Sequence, residues 1–176
     1  MAQTTGPVLS TTAPDQAHFY AKLDGPRSFR LLKFKEGVFI GKDPVALSFM
    51  LKQHDIDDCP PYLAVSYVLW GRPYCELDAN RDADEPIVFD WYIKINGGNF
   101  LILGNIWSAL THARLHGNGK YIWLDVCCIN QSNLAEREAQ VLLMGSVYEN
   151  GAEVVGFLRP LHPDLDSFYW LLMDVI

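Results

Sequence analysis

The sequence has few cysteines, no long apolar run and no excess of positive charge, and each shortage removes a class of protein. Its four cysteines, Cys59, Cys75, Cys127 and Cys128, include no C-x-x-C pair and no Cys/His spacing suited to zinc. Cys127 and Cys128 are adjacent, and neighbours on a strand point to opposite faces, so a bridge between them is disfavoured. Reduced thiols in an intracellular protein follow. No segment approaches the roughly 20 apolar residues that a membrane helix needs. The amino terminus lacks the basic-then-apolar order of a secretory signal, and Ala2 stands where N-myristoylation requires glycine. With 14 Lys and Arg against 21 Asp and Glu, the net charge of −7 offers no basic surface for nucleic acid or anionic lipid. The expectation is a soluble, cytoplasmic protein with no membrane span and no nucleic-acid partner.

What is present is ordinary for a globular chain. Apolar residues make up 49% and charged residues 20% of 176 positions, enough for one self-sufficient core. Residues 1–28, rich in Thr, Pro, Gly and Ala, read as a flexible leader with a short ordered piece at His18-Phe19-Tyr20. Residues 29–176 read as a single domain. Phe29 to Phe34, Val38 to Ile40 and Val45 to Leu51 suit strands, with a polar loop from His54 to Pro61. Tyr62 to Val68 and Tyr121 to Leu124 are nearly continuous apolar runs, the mark of strands buried on both faces. Asn96-Gly97-Gly98-Asn99 between two apolar runs signals a hairpin.

Helices are expected from Asn105, as a cap, to about His116, and from Leu134 to about Glu149. The second opens on an Asn133/Glu136 capping box and closes on Gly151 as a left-handed cap. Glu153 to Leu158 is a third core strand, and Asp166 to Ile176 reads as a final helix. Alternating strands and helices in the second half predict an α/β fold with a parallel core sheet, and the first half adds antiparallel hairpins.

Ligands of open parallel sheets bind beyond the carboxyl ends of the strands. That edge should gather Ser66, Tyr67, Trp70 and Gly71 after one strand, and Asp125, Cys128, Asn130 and Gln131 after the next. Arg159, His162, Asp164 and Asp166 follow the third. Asp125 directly after an apolar strand is costly unless it is bonded or used. It either contacts a ligand or works as an acid or base, or else it accepts backbone N–H bonds from the Cys127–Gln131 loop. Asn130 and Gln131 carry the same two readings. Cys128 reads as a structural thiol rather than a nucleophile paired with His112 or His116. Trp70 and Trp123 suit either core packing or the stacking of a base or nicotinamide ring. Glu136 caps its helix, and Arg137 can reach a phosphate near the same helix start. Asp78 to Asp82 opens like a calcium loop, but Ala83 and Phe89 stand where Gly and Glu are required, so no metal site is expected.

Several motifs together resemble the fungal heterokaryon incompatibility (HET) domain family. They are Arg30-Leu31-Leu32, Ala64-Val65-Ser66-Tyr67, Asn105-Ile106 with Ala109-Leu110, and Trp123 to Gln131 ending in Cys-Ile-Asn-Gln. Glu136-Arg137, Gln140-Val141, Met144, Val147-Tyr148 and Val154 to Leu158 complete them. The match is collinear from about Phe29 to Leu158. One departure is that Val68 and Leu69 both lie between Tyr67 and Trp70, where the family has a single residue. A bulge or a displaced Trp70 follows.

The resemblance implies an effector of non-self recognition and programmed cell death, working through self-association or other death-signalling domains. It also implies a TIR- or flavodoxin-like fold. Some TIR domains cleave NAD, which makes an NAD glycohydrolase an alternative with NAD as substrate. A regulatory binding module that does not kill is another. In NAD-cleaving TIR domains a Glu follows the third core strand. Here that segment holds Asp164, Asp166 and Asp174, so Asp125 and Asp174 are the carboxylates that could support an oxocarbenium-like centre.

Overall fold

The computed structural model describes residues 15–35, 47–67, 91–116, 121–157 and 170–173. Eight strands form one sheet: β1 (Ser28–Phe34), β2 (Ser48–Asp55), β3 (Tyr62–Tyr67), β4 (Trp91–Ile95), β5 (Gly98–Ile102), β6 (Tyr121–Trp123), β7 (Glu153–Phe157) and β8 (Trp170–Met173). Their spatial order is β5-β4-β2-β1-β6-β3-β7-β8. Helices α1 (Gly104–His116), α2 (Asp125–Cys128) and α3 (Leu134–Glu149) flank it, giving a mixed α/β fold.

At the centre, β6, β3 and β7 run parallel. β3 is buried from Tyr62 through Val65, as its unbroken apolar run requires of a strand covered on both faces. The antiparallel additions flank this core. β1 pairs with β2 from Ser28↔Asp55 to Phe34↔Phe49, and with β6 on its other edge. β4 and β5 form a hairpin around Asn96-Gly97, whose φ angles of 52° and 92° are those of a two-residue type I′ turn. β2 and β4 pair in parallel, which brings the hairpin onto the sheet. α1 packs against β3 and β4. α3 is tied to β1 and β3, with Gln140 Nε2 donating to the Ser28 carbonyl (2.9 Å) and the Tyr62 hydroxyl donating to the Val147 carbonyl.

Several expectations are corrected. Residues 170–173, expected within a final helix, form β8 antiparallel to β7. Trp-Leu-Leu-Met is a short apolar run that periodicity alone cannot assign, and here it covers a sheet edge that would otherwise be open. β2 begins at Ser48 and continues to Asp55, into the segment expected as a polar loop. Cys127 and Cys128, expected in a loop, lie in the single turn of α2. α1 starts on the Leu103 carbonyl rather than on an Asn105 cap, and the Asn105 side chain accepts from the Ile106 N–H (2.9 Å).

Gly151 is not left-handed, because Gly97 is the one glycine with positive φ among the described residues. A Cβ on Gly151 would lie 3.4 Å from Ala64 Cβ, so its smallness serves the close approach of the α3–β7 connection to β3. The ordered piece at His18-Phe19-Tyr20 is present as a 3-10 turn, Ala17–Phe19, with Phe19 packed edge-on against Phe100. Val38 to Ile40 lies outside the described residues.

Candidate functional site

The carboxyl ends of the adjacent strands β3 and β6 bring four polar side chains together. Ser66 and Tyr67 close β3. Asp125 follows β6 by two residues and opens α2. Tyr148 reaches in from the last turn of α3. The Tyr67 hydroxyl donates to the Asp125 carboxylate. Burial first, then the charge and hydrogen bond of Asp125, raise the Tyr67 phenol far above its ordinary range. The Ser66 and Tyr148 hydroxyls are hydrogen-bond partners. Burial and the Asp125 charge push the Tyr148 phenol up, and the Ser66 bond offsets part of that rise. Both phenols therefore stay protonated near neutral pH, and Tyr67 serves as a hydrogen-bond donor to Asp125.

Asp125 is half-buried, and its Oδ1 accepts from the Val126 N–H (2.6 Å). A carboxylate offers about four lone-pair positions. The bonds to Val126 and Tyr67 leave acceptor capacity for the hydroxyl or amide of a ligand. Gln131 steadies the turn, its Nε2 donating to the Asp125 backbone carbonyl (3.1 Å). Trp123 is fully buried, with Tyr148 edge-on at 5.3 Å between ring centroids, so it packs in the core and has no open face on which a base could stack. Its indole Nε1 is a buried donor with no hydrogen-bond partner.

A second cluster holds the remaining motif residues, and it is internal. Arg30 lies in the buried β1 strand, and its guanidinium grips Glu136 on α3 through Nη1–Oε1 (2.6 Å) and Nη2–Oε2 (3.1 Å). Nη1 also donates to the Cys128 carbonyl (3.2 Å) and Nη2 to the Ala21 carbonyl (2.5 Å). The Tyr20 ring lies 5.0 Å from the guanidinium carbon. Glu136 Oε1 further accepts from the Asn130 N–H (2.8 Å). Side-chain exposures of 4% for Arg30 and 10% for Glu136 make this a buried ion pair.

Half of the expected capping box is present. Asn133 accepts from the Glu136 N–H (3.2 Å), but the Glu136 carboxylate turns to Arg30 instead of returning to Asn133. Asn130 is buried, and its side-chain oxygen accepts from the Ser132 N–H (3.2 Å). Arg137 is exposed and forms none of this cluster's bonds.

Cys128 is buried, accepts from the Leu124 N–H and donates to the Ile122 carbonyl. Burial pushes its thiol up to about 12, the opposite of an activated nucleophile. Cys59, Cys127 and Cys128 are all free. His112 lies against Phe157, with ring centroids 6.3 Å apart. Trp70, Gly71, Arg159, His162, Asp164, Asp166 and Asp174, and the calcium-like run from Asp78, lie outside the described residues. Among the described residues, no group of three or more His, Cys, Asp and Glu is gathered as metal ligands, and no helix is long and apolar enough to cross a membrane.

Sequence reasoning missed Arg30 and Tyr148 as site-building residues. The signal for Arg30 was available, because a lone guanidinium inside an apolar strand must have a buried partner. Tyr148 entered only as a member of the Val147-Tyr148 motif on the second helix, with no role assigned to its hydroxyl.

Comparison with known proteins agrees with the motifs. A family model described as heterokaryon incompatibility protein (HET) matches residues 62–168. Heterokaryon incompatibility protein 6, OR allele, of Neurospora crassa is 30% identical over 125 residues, covering 66% of this chain. The chain spans only 17% of that protein's length. No solved structure matches.

Proposed function

The chain belongs to the fungal heterokaryon incompatibility (HET) family, and on that premise we propose that it is a cytoplasmic effector module. It converts non-self recognition into programmed cell death by associating with itself or with partner domains. One observation carries this reading. The most specific motif residues, Trp123, Cys128, Asn130, Glu136 and Gln140, turn inward onto the sheet and onto Arg30. Side chains spent on internal bonds specify a frame, and a frame of this kind presents surfaces rather than performing chemistry. The test is induced expression of the folded protein in a fungal host. Growth arrest and loss of viability are expected. Normal growth at high levels of protein with native circular dichroism would refute the proposal.

A second reading, NAD glycohydrolysis, is supported by the Asp125–Tyr67 pair at the joint carboxyl edge of β3 and β6. The three parallel strands also run second-first-third across the sheet, the opening order of a flavodoxin-like fold and so of a TIR-like one. Purified protein at high concentration would then release nicotinamide from NAD, and Asp125→Asn would abolish the release. Intact NAD after prolonged incubation of a concentrated sample eliminates this reading.

A further inference from the structure

α3 carries an exposed apolar side that the fold does not use. Leu142 is 87% exposed, Leu134 58% and Val141 56%, although the opposite side of the same helix buries Gln140, Leu143 and Val147. Through this side runs one ridge at four-residue spacing, Arg137-Val141-Gly145-Glu149, every member of it exposed. Read backwards, the ridge is Glu-Gly-Val-Arg. Laid antiparallel on its own copy, it sets Arg137 against Glu149 and Val141 against Gly145, each pair occurring twice.

The charges are therefore complementary at both ends and the shapes at the middle. A Cβ built on Gly145 meets nothing within 4 Å, so the space above it is open to receive a valine. Neither Arg137 nor Glu149 takes part in an ion pair among the described residues. Ridges of four-residue spacing interlock at about −50°, with axes 8–10 Å apart, and a glycine at the crossing favours the shorter distance. The two-fold arrangement also gives each Leu142 an apolar neighbourhood at the rim.

We infer that the exposed face of α3 is a two-fold homodimer surface, formed by the Arg137-Val141-Gly145-Glu149 ridge of two copies of this chain. The inference rests on the reading that the module acts by association, and it names the partner and the surface. A single helix crossing lies at the small end of specific interfaces, so dissociation is expected on the order of tens of micromolar. Glu138 also lies on this face, close to the Glu149 end of the second copy, and weakens the pairing.

Sedimentation equilibrium of the full chain tests the proposal. Wild-type protein should show a reversible monomer–dimer transition, and Val141→Glu should raise the dissociation constant at least tenfold. Gly145→Leu should do the same by filling the cavity, even though leucine favours the helix more than glycine does. Arg137→Glu and Glu149→Arg should each weaken pairing by several-fold, and the double swap should restore it, as opposite charges again meet. A purely structural role for these residues predicts no such rescue.

A protein monomeric up to about a millimolar would overturn the proposal, as would a dimer indifferent to Val141→Glu and Gly145→Leu. Viability of the fungal host distinguishes the two levels. If Val141→Glu abolishes the dimer while killing persists, the pairing stands and the association reading of function falls.

Discussion

Glu136→Gln should be among the most destabilising near-isosteric changes in this protein. The glutamate accepts three hydrogen bonds, two from Arg30 and one from the Asn130 N–H, in a site where its side chain is 10% exposed. Glutamine keeps the shape and one oxygen. It loses the charge, and it turns an amide NH2 toward a guanidinium that has only donors. Arg30, at 4% exposure, would then be a buried cation with two carbonyls and an aromatic face as its remaining partners.

Removing one member of a buried pair costs about 3–5 kcal/mol. Because the Cys128 and Ala21 carbonyls and the Tyr20 ring still serve Arg30, the lower end, about 3 kcal/mol, is expected. Urea unfolding followed by tryptophan fluorescence would show this as a fall in midpoint at unchanged slope. Replacing both partners, with Arg30→Met and Glu136→Leu, should cost less than the sum of the two single changes, since neither charge is left stranded. A loss below about 1 kcal/mol for Glu136→Gln, or simple additivity in the double variant, would refute the account of the pair as one coupled device.

Three further outcomes follow. Burial holds the Cys128 thiol up at about 12 against an ordinary 9.0, so the folded state keeps a proton that the unfolded chain releases. Its stabilisation is therefore complete below pH 9 and lost as pH rises from 9 toward 12; Cys128→Ala should flatten that decline in urea midpoints measured across the range. Tyr67→Phe removes the donor to Asp125 without emptying space, and should lower stability by about 1–2 kcal/mol; an unchanged melting temperature would show the bond to be idle. Gly145→Ala, with open space above it in mid-helix, should stabilise the monomer by about 1 kcal/mol in dilute solution, and a loss of stability there would contradict the exposure of that face.

Much of the fold was legible because the deciding signals are local. The apolar run of β3, the Asn96-Gly97 turn and the Asn133 cap each act within a few residues, and each element lies where those signals put it. What escaped depends on distance. Arg30 and Glu136 are 106 positions apart, and Glu136 already had an adequate local partner in Asn133. A residue with a local role gives no sign of a stronger distant one. Gly151 was misread in part for the same reason: a Cβ there would crowd Ala64 on a neighbouring strand as well as the Tyr148 and Glu153 carbonyls on either side of it in the chain. Trp170 to Met173 has helical propensity, but the unpaired edge of β7 decides its state. The candidate site was half visible. Topology brought Ser66, Tyr67 and Asp125 to one edge, whereas Tyr148 joined them through a hydroxyl that an apolar pattern does not register.

The place of β1 in the sheet has a consequence for synthesis on the ribosome. β1 sits between β2 and β6. Its β2 side can close as soon as residue 55 emerges, but its other side waits for residues 121–123. At 5–20 residues per second that interval lasts on the order of several seconds, during which an apolar strand edge and the Arg30 guanidinium face solvent unmatched. The nascent chain is thus most prone to aggregation and most dependent on chaperones while the segment between β2 and β6 is being made, and a pause in elongation at residues 60–120 should lower the soluble yield more than one placed after residue 150.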